Sequence, residues 1–435
     1  MKIGFLSLPL SGHLNPMTSL ARALQSRGND VVFLGVPDVE PFARAAGLDF
    51  VPFCEQEYPA GSIARIWSQV ATLRGLEVVE FTLRELSPGL LKAALEHLPK
   101  TLAEAGIEVL VIDKVFFFVE LAAMHFGMPY VHVWNVLNLD FSGHSPAFFF
   151  SWPYESTPEA RARYAELAQT VGGTLAPIVE VAQPYAQELG LEVDWSNPTA
   201  TLSPLAVLSQ IPREFDFPGI PWPAQFHYTG PFHDGKGREP VPFPWEELNG
   251  KPLIYASLGT LVNGLEDVYR TILEVAGRLP DAQFVLSVGN NVDIDRIGPI
   301  PSNAIVVRKA PQIELLKRAA LCITHAGLNT ALEALAQGVP MVAIPIGYDQ
   351  PGVAARIAYH GAGEFIDVED LTTERLSKLI QQVRTGRAYR FKARHFQKVI
   401  AQARGLDVAA EVIEQAFGIP QAANSTGEEA ELSHV

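Results

Sequence analysis

The sequence predicts an α/β protein of two domains, each built on a doubly wound parallel sheet. Three observations indicate this fold. The chain has 435 residues, which is long for a single hydrophobic core. Apolar strand patterns alternate with helix patterns in two separate series, and strands this apolar are typical of parallel sheets covered on both faces. A proline-rich stretch from about 212 to 252 lies between the series and disfavours long helices there.

The first series starts at the N-terminus. The segment "KIGFLSL" predicts a buried strand, and Asn15-Pro16 predicts the start of a helix, since proline is accepted at the first helical position. Gly28 is expected to end that helix. The strands and helices predicted next are, in order, "DVVFLG", "VEPFARAAG", "DFVPF", "PKTLAEAG", "IEVLVID", "FVELAAMHFG" and "PYVHVW". Residues from about 140 to 200 are predicted to be helical and are rich in aromatic side chains.

The second series predicts a second Rossmann-like sheet. Its segments are "PLIYASLG", "DVYRTILEVAGRL", "QFVLSVG", "AIVVRKA", "IELLKRA", "ALCITH", "TALEALAQG", "MVAIPI", "QPGVAARIAYHG", "GEFI" and "TTERLSKLIQQVRTG". We place the first domain at 1–225 and the second at 226–404. The helix "GLDVAAEVIEQAFG", about 405–418, then has no sheet left to extend. The polar, acidic tail 419–435 is expected to be disordered.

Composition narrows the classes of function. The net charge of −15 argues against a nucleic-acid or anionic-membrane partner, because both require a basic face. The two cysteines, Cys54 and Cys322, have no metal-site spacing, so we expect reduced thiols and no metal. No apolar run reaches the ~18–20 residues of a membrane span, and no signal-peptide pattern is present. We expect a cytoplasmic monomer or weak dimer without stable membrane insertion.

His13 and Asp113 are the candidate catalytic pair. His13 follows the first predicted strand, at the sheet edge where open parallel sheets bind ligands. Its loop lacks the G-x-G-x-x-G of dinucleotide sites, and an imidazole that titrates near neutrality suits a general base. Asp113 ends another strand of the same sheet and could accept the second ring N–H of that imidazole. The alternatives are a structural histidine and an aspartate that caps the next helix.

A second candidate site lies in "THAGLNTALEALAQGVPMVAIPIGYDQ", residues 324–350. Gly327 allows close backbone approach, and the helix beginning near Asn329 offers unpaired N–H groups to a diphosphate. The residues with matching side chains are His325, Asn329 and Thr330 for phosphate, Glu333 for ribose hydroxyls, and Asp349 and Gln350 for sugar hydroxyls. The alternative is a capped helix with solvated polar neighbours. A second phosphate-facing turn in "ASLGT", formed by Ser257, Gly259 and Thr260, is weak evidence by itself.

With these residues in view, the chain resembles the family 1, UDP-sugar-dependent glycosyltransferases of GT-B fold, in which two Rossmann-like domains face each other across a cleft. The segment from "KAPQIELL" to "GYDQ" matches the donor signature of that family. Within the family, "HAGLNT", "FHYTGPF" and "YDQPGVAARIAYHGAGEFI" are most similar to bacterial enzymes of the zeaxanthin glucosyltransferase type.

The resemblance implies roles for individual residues. His13 is the implied base that takes the acceptor proton, and Asp113 activates it. The implied donor-site residues are Ser257, Gly259, Thr260, Ala310, Gln312, His325, Gly327, Leu328, Asn329, Thr330, Glu333, Tyr348, Asp349 and Gln350. Among them, His325 contacts the diphosphate, Glu333 the ribose and the last two the hexose. It also implies inversion without a metal or other cofactor, UDP-glucose as the co-substrate, and a last helix that packs back on the first domain.

Four positions depart from plant members of the family. Lys309, Leu328 and Tyr348 stand where those relatives have tryptophan. The asparagine usual shortly after the Asp-Gln pair is replaced within "PGVAAR". Stacking on uracil must therefore come from elsewhere or be weaker, so thymidine donors remain open.

The acceptor is expected to be a hydrophobic molecule with a hydroxyl group, such as a phenol, flavonoid, indole or carotenoid alcohol, because the first domain is rich in aromatics near Asp113. The predicted acceptor residues are Phe116, Phe117, Trp134, Phe141 and Phe148. Transfer to nitrogen, sulfur or carbon stays open. The rival interpretations are a sugar-nucleotide epimerase, a non-catalytic nucleotide-sugar-binding protein and a nicotinamide oxidoreductase. The filled catalytic positions disfavour the second, and the missing G-x-G-x-x-G disfavours the third.

Overall fold

A computed structural model describes residues 1–233, 235–236 and 240–420. Within these ranges the chain forms two parallel sheets flanked by helices, which confirms the predicted α/β fold. Of the tail expected to be disordered, residues 421–435 lie outside the described ranges. None of the described helices is long and apolar enough to cross a lipid bilayer.

The first sheet has the order β3-β2-β1-β4-β5-β6-β7 in the part of the chain that the structure describes. Its strands are Lys2–Leu6 (β1), Asp30–Gly35 (β2), Asp49–Pro52 (β3), Val109–Asp113 (β4), Tyr130–Trp134 (β5), Val207–Ser209 (β6) and Phe226–Tyr228 (β7). The second sheet has the order β10-β9-β8-β11-β12-β13. Its strands are Leu253–Ser257 (β8), Gln283–Ser287 (β9), Ala304–Val307 (β10), Ala319–Thr324 (β11), Met341–Ala343 (β12) and Gly363–Phe365 (β13).

Helices cover both sheets. Those before β8 are Ser11–Ser26 (α1), Glu40–Ala45 (α2), Ser62–Trp67 (α3), Leu76–Phe81 (α4), Ser87–Ala105 (α5), Leu121–His125 (α6), Pro158–Gly173 (α7) and Ala176–Glu188 (α8). Those after it are Glu266–Arg278 (α9), Gln312–Leu316 (α10), Leu328–Ala336 (α11), Gln350–Tyr359 (α12), Thr373–Thr385 (α13), Arg387–Ala403 (α14) and Gly405–Ala416 (α15). A π-helical turn, Thr82–Leu86, joins α4 to α5.

The strand order places the candidate site residues at two switch points. In the first sheet β1 pairs with β2 on one side and β4 on the other, so the loops after β1 and β4 open side by side. In the second sheet β8 pairs with β9 and β11, and the loops after β8 and β11 do the same. Ligands of open parallel sheets bind in such crevices.

Three predicted boundaries are wrong. Helix α1 begins at Ser11, so Pro16 lies inside the helix and His13 is in its first turn. Strand β7 pairs with β6, so the first sheet extends to Tyr228, beyond the boundary we placed after residue 225. In the stretch 140–200, the helices cover 158–173 and 176–188.

Helix α14 was not predicted, because few of its side chains face the core. Its buried residues are Ala393 and Phe396, and its other side chains include five arginines and lysines, so the segment is polar overall.

The last helix returns to the first domain. Helix α15 packs on α1, and Arg27, directly after α1, donates to both carboxylate oxygens of the buried Glu414 at 2.9 and 2.7 Å. The outgoing and returning chains cross at Gly230 and Gly405. A Cβ on Gly405 would overlap the backbone of Pro231, so glycine allows this crossing.

Candidate active site

His13 and Asp113 meet at the switch point of the first sheet. His13 Nδ1 lies 2.8 Å from Asp113 Oδ2. The carboxylate is fully buried and also accepts a hydrogen bond from Ser7 Oγ at 3.1 Å. When Nδ1–H donates to Asp113, the neutral ring carries its lone pair on Nε2. This arrangement leaves Nε2 chemically able to accept a proton.

The charges around His13 raise its pKa. Burial lowers the pKa of this imidazole, but the negative charge of Asp113, its hydrogen bond and the charge of Asp349 outweigh burial, so the pKa lies above 6.5. Asp349 belongs to the second domain, which means that the two halves of the cleft influence each other electrostatically. Burial in turn raises the pKa of the Asp349 carboxyl above 3.8, although a hydrogen bond from Leu137 and the charge of His13 oppose this.

Pro16 explains a contact between the two domains. An ordinary residue at this position would donate its N–H to the carbonyl of Gly12, four residues earlier. Proline has no N–H, so that carbonyl stays available. Asn329 of the second domain occupies it, with Nδ2 donating to Gly12 O at 2.6 Å. At the residue before Gly12, Ser11 Oγ lies 2.9 Å from Thr260 Oγ1, and this pair also spans the cleft.

The loop after β11 holds His325 against two glycines. A Cβ on Gly259 or Gly327 would overlap the imidazole, so both positions require glycine. Ala326 between them has φ of 63°, a left-handed conformation that costs on the order of 1 kcal/mol in a residue with a Cβ. Burial lowers the pKa of His325 to about 4, so the ring is neutral at pH 7. Helix α11 begins directly after this loop, and its first N–H groups have no partner within the helix.

Four polar side chains of the second domain form a hydrogen-bonded network. Gln312 Nε2 donates to Glu333 Oε2 at 2.7 Å and to Thr330 Oγ1 at 3.3 Å. The Tyr255 hydroxyl donates to Gln312 Oε1 at 3.0 Å. Glu333 and Thr330 are buried. The structure therefore brings Glu333, which we predicted for ribose, together with Gln312 and Thr330 of the predicted donor site, and Tyr255 is a member that the sequence did not indicate.

Both residues that we assigned to the sugar, at the start of α12, accept hydrogen bonds from backbone N–H groups. Asp349 Oδ2 accepts the backbone N–H of Leu137, from the first domain, at 3.0 Å. Gln350 Oε1 accepts the backbone N–H groups of Ile346 and Gly347 at 2.9 and 3.1 Å. Tyr348 has φ of 55°. One carboxylate oxygen and one amide N–H₂ thus remain outside these particular bonds, which suits the hydroxyls of a sugar.

The remaining predicted donor residues occupy less distinctive positions. Ser257 is buried at the end of β8, and Ala310 is half-buried in the loop after β10. Leu328 packs in the core of the second domain, so its backbone rather than its side chain is available at the start of α11. Lys309, which replaces a tryptophan of plant relatives, is exposed.

A cavity of about 430 Å³ opens in the first domain, and sequence reasoning missed it. Its lining consists of Leu8, Tyr58, Ile63, Ile66, Trp67, Gln69, Phe81, Glu85, Leu86, Ser87 and Leu90. Leu8 connects the cavity with the catalytic pair, because its backbone N–H also lies 3.5 Å from Asp113 Oδ2. Most of the lining comes from α3 to α5, which contribute to the core as well, so no local pattern separates lining from core.

The five aromatic residues predicted for the acceptor lie elsewhere. Phe116, Trp134 and Phe148 are buried, and Phe117 and Phe141 are half-buried against the cores. The Phe148 carbonyl accepts the N–H of Gly352 from α12 at 2.8 Å, at the contact between the domains. None of the five is among the residues that line the cavity just described.

Among the described residues, one group of three side chains has the spacing of metal ligands. Cys54, Glu57 and His97 bring one ligand atom each within 4.8 Å of one another, on the loop after β3 and on α5. These residues are not part of either candidate site.

Comparison with known proteins identifies chains of similar sequence. Residues 211–403 match the family described as "UDP-glucoronosyl and UDP-glucosyl transferase". The zeaxanthin glucosyltransferase of Pantoea ananas is 26% identical over 94% of both chains. The demethyllactenocin mycarosyltransferase of Streptomyces fradiae is 28% identical over 95% of this chain and 86% of its own.

The fold is matched by a solved structure. The glycotransferase of kitacinnamycin superposes with a TM-score of 0.74 at 23% identity, over 95% of this chain and 98% of its own. At this sequence identity the similarity shows the fold alone. The chain is therefore a glycosyltransferase of GT-B fold, and its residues 211–403 match the UDP-glucoronosyl and UDP-glucosyl transferase family.

Proposed function

We propose that this enzyme transfers a hexose, glucose from UDP-glucose in the simplest case, to a hydroxyl group of a hydrophobic small molecule with inversion at the anomeric carbon. The observation that carries the proposal is the contact of His13 Nδ1 with Asp113 Oδ2 at 2.8 Å, across the cleft from the loop that contains Asp349. A base with a fixed tautomer beside a hydroxyl-binding carboxylate is what glycosyl transfer to an alcohol requires.

In the proposed reaction, the acceptor O–H gives its proton to His13 Nε2 while its oxygen attacks the anomeric carbon. The bond from that carbon to the diphosphate breaks, and UDP leaves with the electron pair. Attack opposite to the leaving group inverts the configuration. Asp113 stabilises the imidazolium that forms.

The second domain supplies the proposed donor site. The N-terminus of α11 and the neutral ring of His325 would donate hydrogen bonds to the diphosphate and stabilise its developing charge. Glu333 and Gln312 would bind the ribose, and Asp349 with Gln350 the hexose. These donors supply the charge stabilisation that a metal ion would otherwise provide, so we propose metal-independent transfer.

The cavity of about 430 Å³ is the proposed acceptor site. Its volume falls within the range of about 300–1,000 Å³ that small-molecule sites occupy, and apolar side chains predominate in its lining. Leu8 lies beside both the cavity and Asp113, so an acceptor hydroxyl at that end would be close to the base. A zeaxanthin glucosyltransferase is among the relatives, which supports a lipophilic acceptor.

The test is incubation of the purified protein with UDP-glucose and a panel of phenols, flavonoids, indoles and carotenoid alcohols, followed by mass spectrometry and an assay for UDP. A hexose adduct that persists with a chelator supports metal-independent transfer. An adduct with thymidine donors alone would correct the nucleotide and indicate the region of Lys309. Turnover of the sugar nucleotide without any acceptor would favour an epimerase and contradict the proposal.

A further inference from the structure

A segment of the first domain crosses to the second domain beside the cavity. We call residues 71–82 the crossing segment. Ala71 O accepts the N–H of Gly264 at 2.8 Å, in the loop between β8 and α9. Gly75 N–H donates to Ile346 O at 2.6 Å, in the loop before α12. The crossing segment thus contacts both a phosphate-facing loop and the sugar-facing loop of the proposed donor site.

The crossing segment ends at Thr82, whose side chain contacts Tyr348. Thr82 Oγ1 lies 2.8 Å from the Tyr348 hydroxyl and also donates to Val78 O at 2.8 Å. Because the threonine proton is used for Val78, the tyrosine O–H must be the donor to Thr82. Tyr348 precedes Asp349 directly and is held at φ of 55°. A hydrogen bond from another domain therefore stabilises a strained residue next to the proposed sugar ligand.

Thr82 is also the first residue of the π-helical turn between α4 and α5. π-Helical turns inside α-helices are rare and frequent at functional sites. Two residues of this same turn, Glu85 and Leu86, line the cavity, as does Phe81 just before it. One turn of chain therefore contacts the cavity and the sugar-facing loop at once.

We propose that Thr82 is a positioning residue that sets the choice of donor sugar by holding Tyr348, and with it Asp349 and Gln350, in the orientation that the transferred sugar requires. This inference rests on the proposed function. Since the π-helical turn also lines the cavity, the residue links the acceptor site to the sugar-facing loop. It acts through Tyr348 and does not itself touch the substrate.

The test compares Thr82→Val with Thr82→Ser. Valine has nearly the same shape but cannot accept the tyrosine proton, whereas serine can. For Thr82→Val we expect kcat/KM for UDP-glucose to fall about three- to tenfold, the size expected for one hydrogen bond. We expect the preference for UDP-glucose over UDP-galactose or UDP-xylose to change, and inhibition by UDP, which lacks the sugar, to stay the same. Thr82→Ser should resemble the wild type.

A double-mutant cycle identifies the bond itself. Tyr348→Phe removes the same hydrogen bond from the other side, so its effect on sugar preference should not add to that of Thr82→Val. Unchanged sugar preference in Thr82→Val, or strictly additive effects, would overturn the proposal. If Thr82→Val fails to fold, unchanged preference in Tyr348→Phe overturns it instead.

The wild type separates this inference from the proposed function. Wild-type enzyme that transfers no sugar from any nucleotide donor would refute the proposed function. Wild-type transfer with an unaltered Thr82→Val variant would refute only the role of Thr82.

Discussion

The two halves of this molecule place their sites at the same point of the same topology, but they build them differently. In the second domain, the candidate donor residues from Gln312 to Gln350 are close in sequence, and hydrogen bonds join Gln312 to Glu333 and Thr330 and hold Gln350 to the backbone of its own loop. In the first domain, the candidate catalytic pair comes from residues 100 positions apart, and the cavity beside it is lined mainly by apolar residues from several helices. A hydrogen-bonded polar site suits a polar ligand with many hydrogen-bonding groups, and an apolar cavity suits a lipophilic ligand. The candidate donor residues thus lie close together in the sequence, whereas the residues of the proposed acceptor site come together only in the fold.

The largest expected effect is a loss of catalysis in the first domain without a loss of nucleotide binding in the second. His13→Ala should lower kcat for transfer to an alcohol by roughly 10²–10⁴-fold, because the general base is lost. UDP affinity should stay near the wild-type value, since the proposed donor site lies on the other domain. Steady-state kinetics and calorimetric UDP titration measure the two quantities. His125→Ala, which alters an exposed histidine at the end of α6, is the matched control. A near-wild-type rate would remove His13 from the mechanism.

The pH dependence of kcat/KM should report the protonation of His13 in the first domain. The base must be neutral to act, and its pKa is raised above 6.5, so kcat/KM for the acceptor should rise with pH through that raised pKa and then level off. Asp113→Asn removes the main charge that raises the pKa, while the effect of burial remains. The rising limb should therefore move to lower pH, with a smaller loss of activity than His13→Ala causes. A limb that stays in place would show that another group controls it.

A substitution in the second domain should affect binding first. Glu333→Ala should weaken UDP binding by roughly 1–3 kcal/mol, because the ribose hydroxyls and Gln312 Nε2 both lose a buried acceptor. Glu314→Ala is the matched control, since that carboxylate is exposed on α10 and pairs with Lys317. Calorimetry with UDP and with UMP compares the variants. Equal affinities for Glu333→Ala and the wild type would place the ribose elsewhere.

The sequence predicted the fold class and the proximity of several candidate polar residues, because both leave periodic or local signals. Apolar strands and capped helices identified the two parallel series. The strand ends indicated His13, Asp113 and His325 as candidates, and helical spacing indicated Glu333. The predicted boundaries were wrong where contacts between distant parts of the chain determine where a helix or a sheet ends. Pro16 is accepted inside α1, since the carbonyl that it leaves unpaired finds a partner on the other domain.

The acceptor side could not be predicted from local patterns. The aromatic residues after Asp113 pack mainly in the cores, whereas the cavity uses residues such as Ile63, Trp67 and Leu90, whose sequence pattern is that of ordinary buried helix faces. Tyr255 was missed for a related reason. It lies in an apolar strand, and only the pairing of β8 with β11 brings its hydroxyl to Gln312. Contacts of this kind, between strands or between domains, leave no periodic pattern in the sequence.

The smallest expected effect concerns the contact that joins the halves. Asn329→Ala removes the bond to Gly12 O and should lower kcat/KM for the donor about two- to tenfold, as for one hydrogen bond. Pro16→Ala leaves Asn329 intact but restores an N–H that competes for the same carbonyl, so it should produce a weaker effect in the same direction. Pro99→Ala, inside α5, is the matched control for replacing a helical proline. If Asn329 acts on the diphosphate alone, Asn329→Ala will weaken UDP binding while Pro16→Ala leaves the kinetics unchanged. If both variants slow transfer and the Pro99 control does not, the carbonyl freed by Pro16 contributes to transfer through its hydrogen bond with Asn329 of the other domain.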